Sequence, residues 1–127
     1  MNILNKELEK SICEKLNIFS KNIKAFESIS STNKYLKSHL KANPDSTLEI
    51  CMAEQQTHGI GTKGKKWLSP PAGNIYFTYK INLHQYNLLA LPIISALSIC
   101  EAIEFIYPKI QIKVKWPNDL FINQKKI

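Results

Sequence analysis

Arginine is absent from this 127-residue chain: all 17 basic residues are lysine, set against 10 acidic ones for a formal net charge of +7. Guanidinium is the usual tool for bidentate readout of base edges, so its absence argues against a sequence-specific nucleic-acid reader. The positive field still favours anionic partners such as a nucleotide, a carboxylate ligand or an acidic protein surface. Paired cysteines are missing too. Cys13, Cys51 and Cys100 are far apart, odd in number and form no C-x-x-C, so they read as small core or surface residues in a reducing, cytoplasmic setting. His39, His58 and His84 are equally scattered, which argues against a histidine–cysteine metal centre. No long apolar run is free of charge or proline. The most apolar stretch, Leu88 to Tyr107, contains Pro92, Glu101 and Glu104 and reads as a buried helix, so no membrane span is expected. Lys6, Glu7, Glu9 and Lys10 break up the N-terminal apolar residues, unlike a secretory signal.

What remains is ordinary for a soluble globular domain: 44% hydrophobic and 21% charged residues in a length that accommodates one domain. Leu4, Leu8, Ile12 and Leu16 predict an amphipathic helix in a lead-in segment, residues 1–25. A short strand is expected from Phe26 to Ile29. Ser30-Ser31-Thr32-Asn33 then offers caps for a helix carrying Tyr35-Leu36 and His39-Leu40 on one face, and Asn43-Pro44-Asp45-Ser46 reads as a turn. Leu48, Ile50 and Met52 alternate as a strand leading into Ala53-Glu54-Gln55-Gln56. All four glycines fall between positions 59 and 73, which predicts one long loop there. A strand from Ile75 to Ile81 follows, then a helix with Pro92 in its first turn and Pro108 as its stop. Ile110, Ile112, Val114 and Trp116 alternate as a half-buried strand; Leu120 to Ile122 resumes it, and Asn123-Gln124 turns into Lys125-Lys126-Ile127. Those last residues begin a returning strand whose remainder is missing, so the chain is expected to end inside a domain. The pattern predicts an α+β fold, a mixed β-sheet with flanking helices.

Three segments carry chemistry, and each has a plainer reading beside it. The loop Gly59-Ile60-Gly61-Thr62-Lys63-Gly64-Lys65 combines backbone freedom with lysine charge, which suits a phosphate and equally a solvated turn. Ser31-Thr32-Asn33 could present hydroxyls and an amide to a small polar ligand, or simply cap a helix. Lys115-Trp116-Pro117-Asn118-Asp119 packs a cation, an aromatic, an amide and a carboxylate into five residues. Its Asn118 and Asp119 could hold magnesium, or form a turn between strands.

In this order the three segments are far more specific. Ser31-Thr32-Asn33, then A-E-Q-Q-x-x-G-x-G-x-x-G-x-x-W-x-S-P, then K-W-P-N-D-L with Lys126 seven residues after Asp119, resemble the catalytic domain of biotin protein ligases over residues 26–127. The resemblance implies the class II synthetase-like fold of biotin and lipoate protein ligases, with biotin and ATP as substrates and Mg2+ beside them. It implies activation of biotin to biotinyl-adenylate, then transfer to a lysine of the biotin carrier domain of acetyl-CoA carboxylase or another biotin-dependent carboxylase. By matching positions, Ser31, Thr32, Asn33, Gln56, Gly59, Ile60, Gly61, Thr62 and Lys126 would bind biotin. Lys63, Gly64, Lys65, Trp67, Asn118 and Asp119 would bind ATP or the adenylate, Asp119 also the metal. Lys115, Asp119 and Lys126 would be catalytic.

The chain departs from the family in its glycine loop, which normally reads close to G-R-G-R-x-G-R. Here Ile60, Thr62 and Lys65 stand at the arginine positions, and only the lysine keeps a charge. Residues 1–25 are too short for the winged helix-turn-helix of family members that also repress transcription, so no sequence-specific DNA binding is expected. A homodimer is compatible with the resemblance. The alternatives are a non-catalytic biotin-binding remnant, and a relative from the lipoate ligase or octanoyltransferase branch.

Overall fold

A computed structural model describes residues 10, 14, 22–47, 49–80 and 88–127. It resolves into two compact units, Met1–Ile81 and Asn82–Ile127. The helix expected from Leu4 to Leu16 lies outside the described residues except for Lys10 and Glu14. Both are helical and form an exposed i,i+4 ion pair at 3.9 Å.

In the first unit the order is β1 (Ile23–Ile29), α1 (Thr32–Ala42), β2 (Ile50–Ile60), a short 3-10 turn (Thr62–Gly64), β3 (Lys66–Ser69) and β4 (Tyr76–Tyr79). β2 is the centre of the sheet. β1 pairs with it in parallel, Ile23 beside Ile50 and Ile29 beside Gln56. The other edge is shared: β4 pairs antiparallel with residues 50–53 and β3 with residues 56–60. A parallel neighbour requires a crossover, and α1 supplies it. Leu36 of α1 and Cys51 of β2 are buried against each other, with Phe26, Ile29, Tyr35 and Leu40 packed around them. Phe26 meets Tyr35 edge-on at 4.8 Å, and Tyr35 stacks on His39 at 5.9 Å. Asn43 ends the helix, its backbone and side-chain N–H groups both donating to the His39 carbonyl, and Pro44 bars a further turn.

The second unit contains α2 (Leu91–Ile106), β5 (Lys113–Lys115), β6 (Asp119–Ile122) and β7 (Lys125–Lys126). Pro92 occupies the first turn of α2, as its fixed φ and missing N–H favour. Ala96, Cys100 and Leu120 form the buried core, with Ile112 and Val114 against it. β5, β6 and β7 make an antiparallel meander. Asn123 and Gln124 both adopt positive φ, 48° and 65°, the requirement of a type I′ hairpin turn. No helix among the described residues is long and apolar enough to cross a membrane.

Several expectations shift. The strand expected from Ile75 to Ile81 is Tyr76–Tyr79, with Ile81 outside the described residues, and the apolar helix buries only Ala96 and Cys100. β1 begins at Ile23, three residues before Phe26, because Ile23 and Ala25 are themselves buried. The glycine segment is not one long loop: β2 runs through Gly59 to Ile60 and returns as β3, leaving Gly61–Lys65 as the turn. The strand expected over residues 110–116 narrows to Lys113–Lys115. The Ile112 N–H donates to Glu104 of α2 at 3.1 Å instead of joining the ladder.

Candidate active site

Two groups of predicted site residues emerge, one in each unit. The first is a chain of hydrogen bonds through Thr32 and Gln56. Ser31 is the N-cap of α1, its Oγ accepting from the Lys34 N–H at 3.4 Å, so the capping reading of this residue holds. That cap directs Thr32, 3% exposed, into the sheet. Gln56 Oε1 accepts from both the Thr32 N–H at 2.9 Å and Thr32 Oγ1 at 3.1 Å. With its own proton given to Gln56, Thr32 Oγ1 accepts from Thr78 Oγ1 at 2.9 Å. At the other end, Gln56 Nε2 donates to Ser69 Oγ at 3.2 Å. Four elements, α1, β2, β3 and β4, are thus tied at one point. Asn33 is exposed on the first turn of α1 and takes no part.

The glycine segment continues from Gln56. Gly59 is buried, and a Cβ there would stand 2.8 Å from the Trp67 carbonyl oxygen and 2.9 Å from Ser69 Oγ. Only glycine lets the two strands approach so closely. Beyond it the hairpin closes on itself: the Gly61 N–H donates to the Lys65 carbonyl at 2.7 Å and the Lys65 N–H to Thr62 O at 3.3 Å. Lys63 and Gly64 both have positive φ, 58° and 74°. Ile60, Thr62, Lys63, Gly64, Lys65 and Trp67 are all exposed.

The second group sits on one face of the β5–β6–β7 meander. Directly paired residues share a face, so the register Lys115 beside Asp119 and Phe121 beside Lys113 and Lys126 gathers three lysines, a carboxylate and an aromatic ring. Lys126 Nζ lies 2.7 Å from Asp119 Oδ1, a short charge-assisted contact. Trp116-Pro117-Asn118 forms the connecting turn, exposed throughout, with a cis Trp116–Pro117 peptide. A groove of about 540 Å³ opens beside Lys113, Lys115 and Phe121 without reaching Asp119 or Lys126. Among the described residues no three His, Cys, Asp or Glu gather as a metal site. This donor set fits a magnesium ion carried on phosphate oxygens and not one held by protein alone.

Sequence reasoning did not single out Ser69 or Thr78. Ser69 stood inside the W-x-S-P motif with no role assigned. Thr78 was signalled only as a polar residue in an aromatic strand, where pairing with Cys51 puts it on the α1 side of the sheet.

The chain is 31% identical over 110 residues to the bifunctional ligase/repressor BirA of Salmonella typhimurium, and 32% over 101 residues to that of Escherichia coli. Those matches cover 85% and 78% of this chain but 33% and 30% of the relatives, so the chain spans about a third of their length. Among solved structures, the biotin protein ligase of Aquifex aeolicus in complex with biotin and ATP superposes with a TM-score of 0.69 at 35% identity. That match covers 84% of this chain and 44% of the other. The Leishmania major biotin protein ligase in complex with biotinyl-5-AMP gives 0.69 at 27% identity, covering 84% and 49%. The mixed α+β arrangement seen here is that of these ligases. Residues 25–127 match the model of the Biotin/lipoate A/B protein ligase family, and the chain belongs to it.

Proposed function

We propose that this chain carries the biotin- and nucleotide-handling part of a biotin protein ligase, joining biotin to ATP as biotinyl-adenylate for transfer to a lysine of a carboxylase biotin carrier domain. The observation that carries the reading is the Lys126–Asp119 pair at 2.7 Å with Lys115 beside it on the meander face. Two anions, the biotin carboxylate and the α-phosphate, must meet for the first step, and fixed lysine charge is what lowers that barrier. Lys126 is the cation for the reacting oxygens, Lys115 for the phosphate tail. Asp119 holds Lys126 in place and, with Asn118, would hold the magnesium that travels with the nucleotide.

Ser31, Thr32, Asn33 and Gln56 form the biotin side, with Gly59, Ile60, Gly61 and Thr62 along its rim. Lys63, Gly64, Lys65 and Trp67 cover the adenylate, a mixed anhydride that water would destroy. Ile60 and Thr62 bring no charge to that cover, which leaves anion contact there to the lysines. Residues 26–127 act as the catalytic segment and 1–25 as its lead-in. The free, buried thiols of Cys51 and Cys100 suit a reducing cytoplasm.

Biotin-dependent exchange of pyrophosphate into ATP tests the proposal. Exchange by the chain that falls about a hundredfold or more in Asp119→Ala, the scale of losing one transition-state charge contact, is the expected result. A folded chain with no exchange but retained biotin affinity would replace this reading with a binding remnant.

A further inference from the structure

We infer that Ser69 is a positioning residue for Gln56: it locks the carboxamide so that the group offered to a ligand is one Nε2–H. The inference rests on the proposed biotin-binding role of Gln56 only for its functional consequence; the lock itself follows from hydrogen bonds within the chain.

The Thr32 backbone N–H can only donate, so the Gln56 atom 2.9 Å from it must be the oxygen. The Thr32 hydroxyl adds a second donor at 3.1 Å, which fills both lone pairs of Oε1. The amide nitrogen is therefore on the far side, where Ser69 Oγ accepts one of its two hydrogens at 3.2 Å. Ser69 can accept because its own proton is directed to the Trp67 carbonyl, 3.5 Å away. Among the described residues nothing else meets the second Nε2 hydrogen. The free valence of Gln56 is thus a donor, matched to a carbonyl or carboxylate oxygen.

Ser69 itself is held. It is 5% exposed, on a strand whose partner glycine, Gly59, leaves only the room its hydroxyl fills. Ser69 Oγ is already engaged by the Gln56 amide and the Trp67 carbonyl, so Ser69 acts through Gln56 and not on the ligand. Without Ser69, the Gln56 amide keeps its oxygen on Thr32 but loses the restraint on its nitrogen.

The test is side-chain amide NMR of the full chain together with steady-state exchange kinetics. In the wild type, a Gln56 Nε2 proton should show a nuclear Overhauser contact to the Ser69 β protons and slowed solvent exchange. Ser69→Ala should speed that exchange about tenfold, as expected for one lost hydrogen bond, while the Cys51 backbone amide stays protected. The KM for biotin should rise about tenfold, with kcat and the KM for ATP unchanged; general damage would move all three. Unchanged Gln56 exchange in a folded Ser69→Ala chain overturns the inference. If that variant does not fold, the wild-type contact decides, and its absence overturns the inference equally. A Gln56 amide that is locked as described but unmoved by biotin would support the inference and sink the biotin-site reading instead.

Discussion

Gly59 and Gly64 stand five residues apart on one hairpin, and each is a glycine for a different reason. Gly59 has no room: an added methyl would press on the Trp67 carbonyl and on Ser69 Oγ, both under 3.0 Å. Gly64 has open space around it and only its φ of +74° to defend. Gly59→Ala should therefore cost about 1–3 kcal/mol by forcing β3 away from β2, and should disturb the Gln56–Ser69 contact. Gly64→Ala should cost about 1 kcal/mol through backbone strain alone and leave that contact intact. Urea midpoints and the Gln56 side-chain resonances of the two variants separate these outcomes. Lys126 offers the opposite contrast, between small structural and large functional effect. Its partner Asp119 is partly exposed, and an exposed ion pair contributes only about 0.2–1 kcal/mol. Lys126→Gln should melt within that margin of the wild type yet lose pyrophosphate exchange about a hundredfold. A variant that keeps full exchange would remove Lys126 from the reaction.

α1 against β2 is where the first unit's core is made, and it carries a pH dependence. Burial pushes the Cys51 thiol up from 9 to about 11, and burial followed by the charge of Cys51 pushes the Tyr35 phenol up from 10. Both groups are favoured neutral in the fold. The Cys51 contribution is fully present below the unfolded thiol value of 9 and is lost as pH climbs through about 11, because the unfolded chain releases the proton first; that of Tyr35 has the same sign. For Cys51 the gap corresponds to a loss on the order of 3 kcal/mol. Thermal melts between about pH 8 and 11 should fall more steeply for the wild type than for Cys51→Ala, whose slope retains Tyr35 and the buried Cys100 thiol. Equal slopes would mean the thiol does not titrate with folding. The helices themselves were legible in the sequence, since Ser31, Pro44, Pro92 and Pro108 are punctuation that acts locally. The meander was legible for the same reason, with Asn123-Gln124 at its turn. The extent of β2 was not, because glycine composition signals backbone freedom but not whether a partner strand needs it for close approach. Nor was the narrowing of β5, which depends on Glu104 reaching from α2 to a backbone N–H eight residues away. At the site, the motifs supplied residue identities. The direction of each hydrogen bond, and with it the part played by Ser69 and Thr78, came only from the packing of four elements on one another.

For the whole molecule, charge and apolar exposure pull in opposite directions. A net charge of +7 keeps like chains apart. Both units nevertheless present large apolar side chains to solvent: Leu68 at 77% and Ile75 at 79% in the first, Leu89 at 85%, Phe105 at 87% and Trp116 at 74% in the second. Apolar side chains exposed to this degree are available for contact with other protein. At low ionic strength the lysine field opposes self-contact. At physiological salt the Debye length shrinks to about 8 Å and that opposition is largely screened, while contact between apolar surfaces is not weakened. The chain should therefore associate more as salt rises, homodimers included, with bound hydrophobic dye decreasing as the surfaces become covered. Sedimentation velocity across a sodium chloride series, repeated on Phe105→Lys, measures this directly. Phe105 is the most exposed of these side chains and lies outside both buried clusters, so its replacement adds charge and removes apolar surface without touching a core. A sedimentation coefficient that rises with salt in the wild type and less in the variant is the expected pattern. Association that instead dissolves with salt would mean that lysine–carboxylate contacts hold the chains together, and would shift the self-contact from the apolar faces to the charged ones.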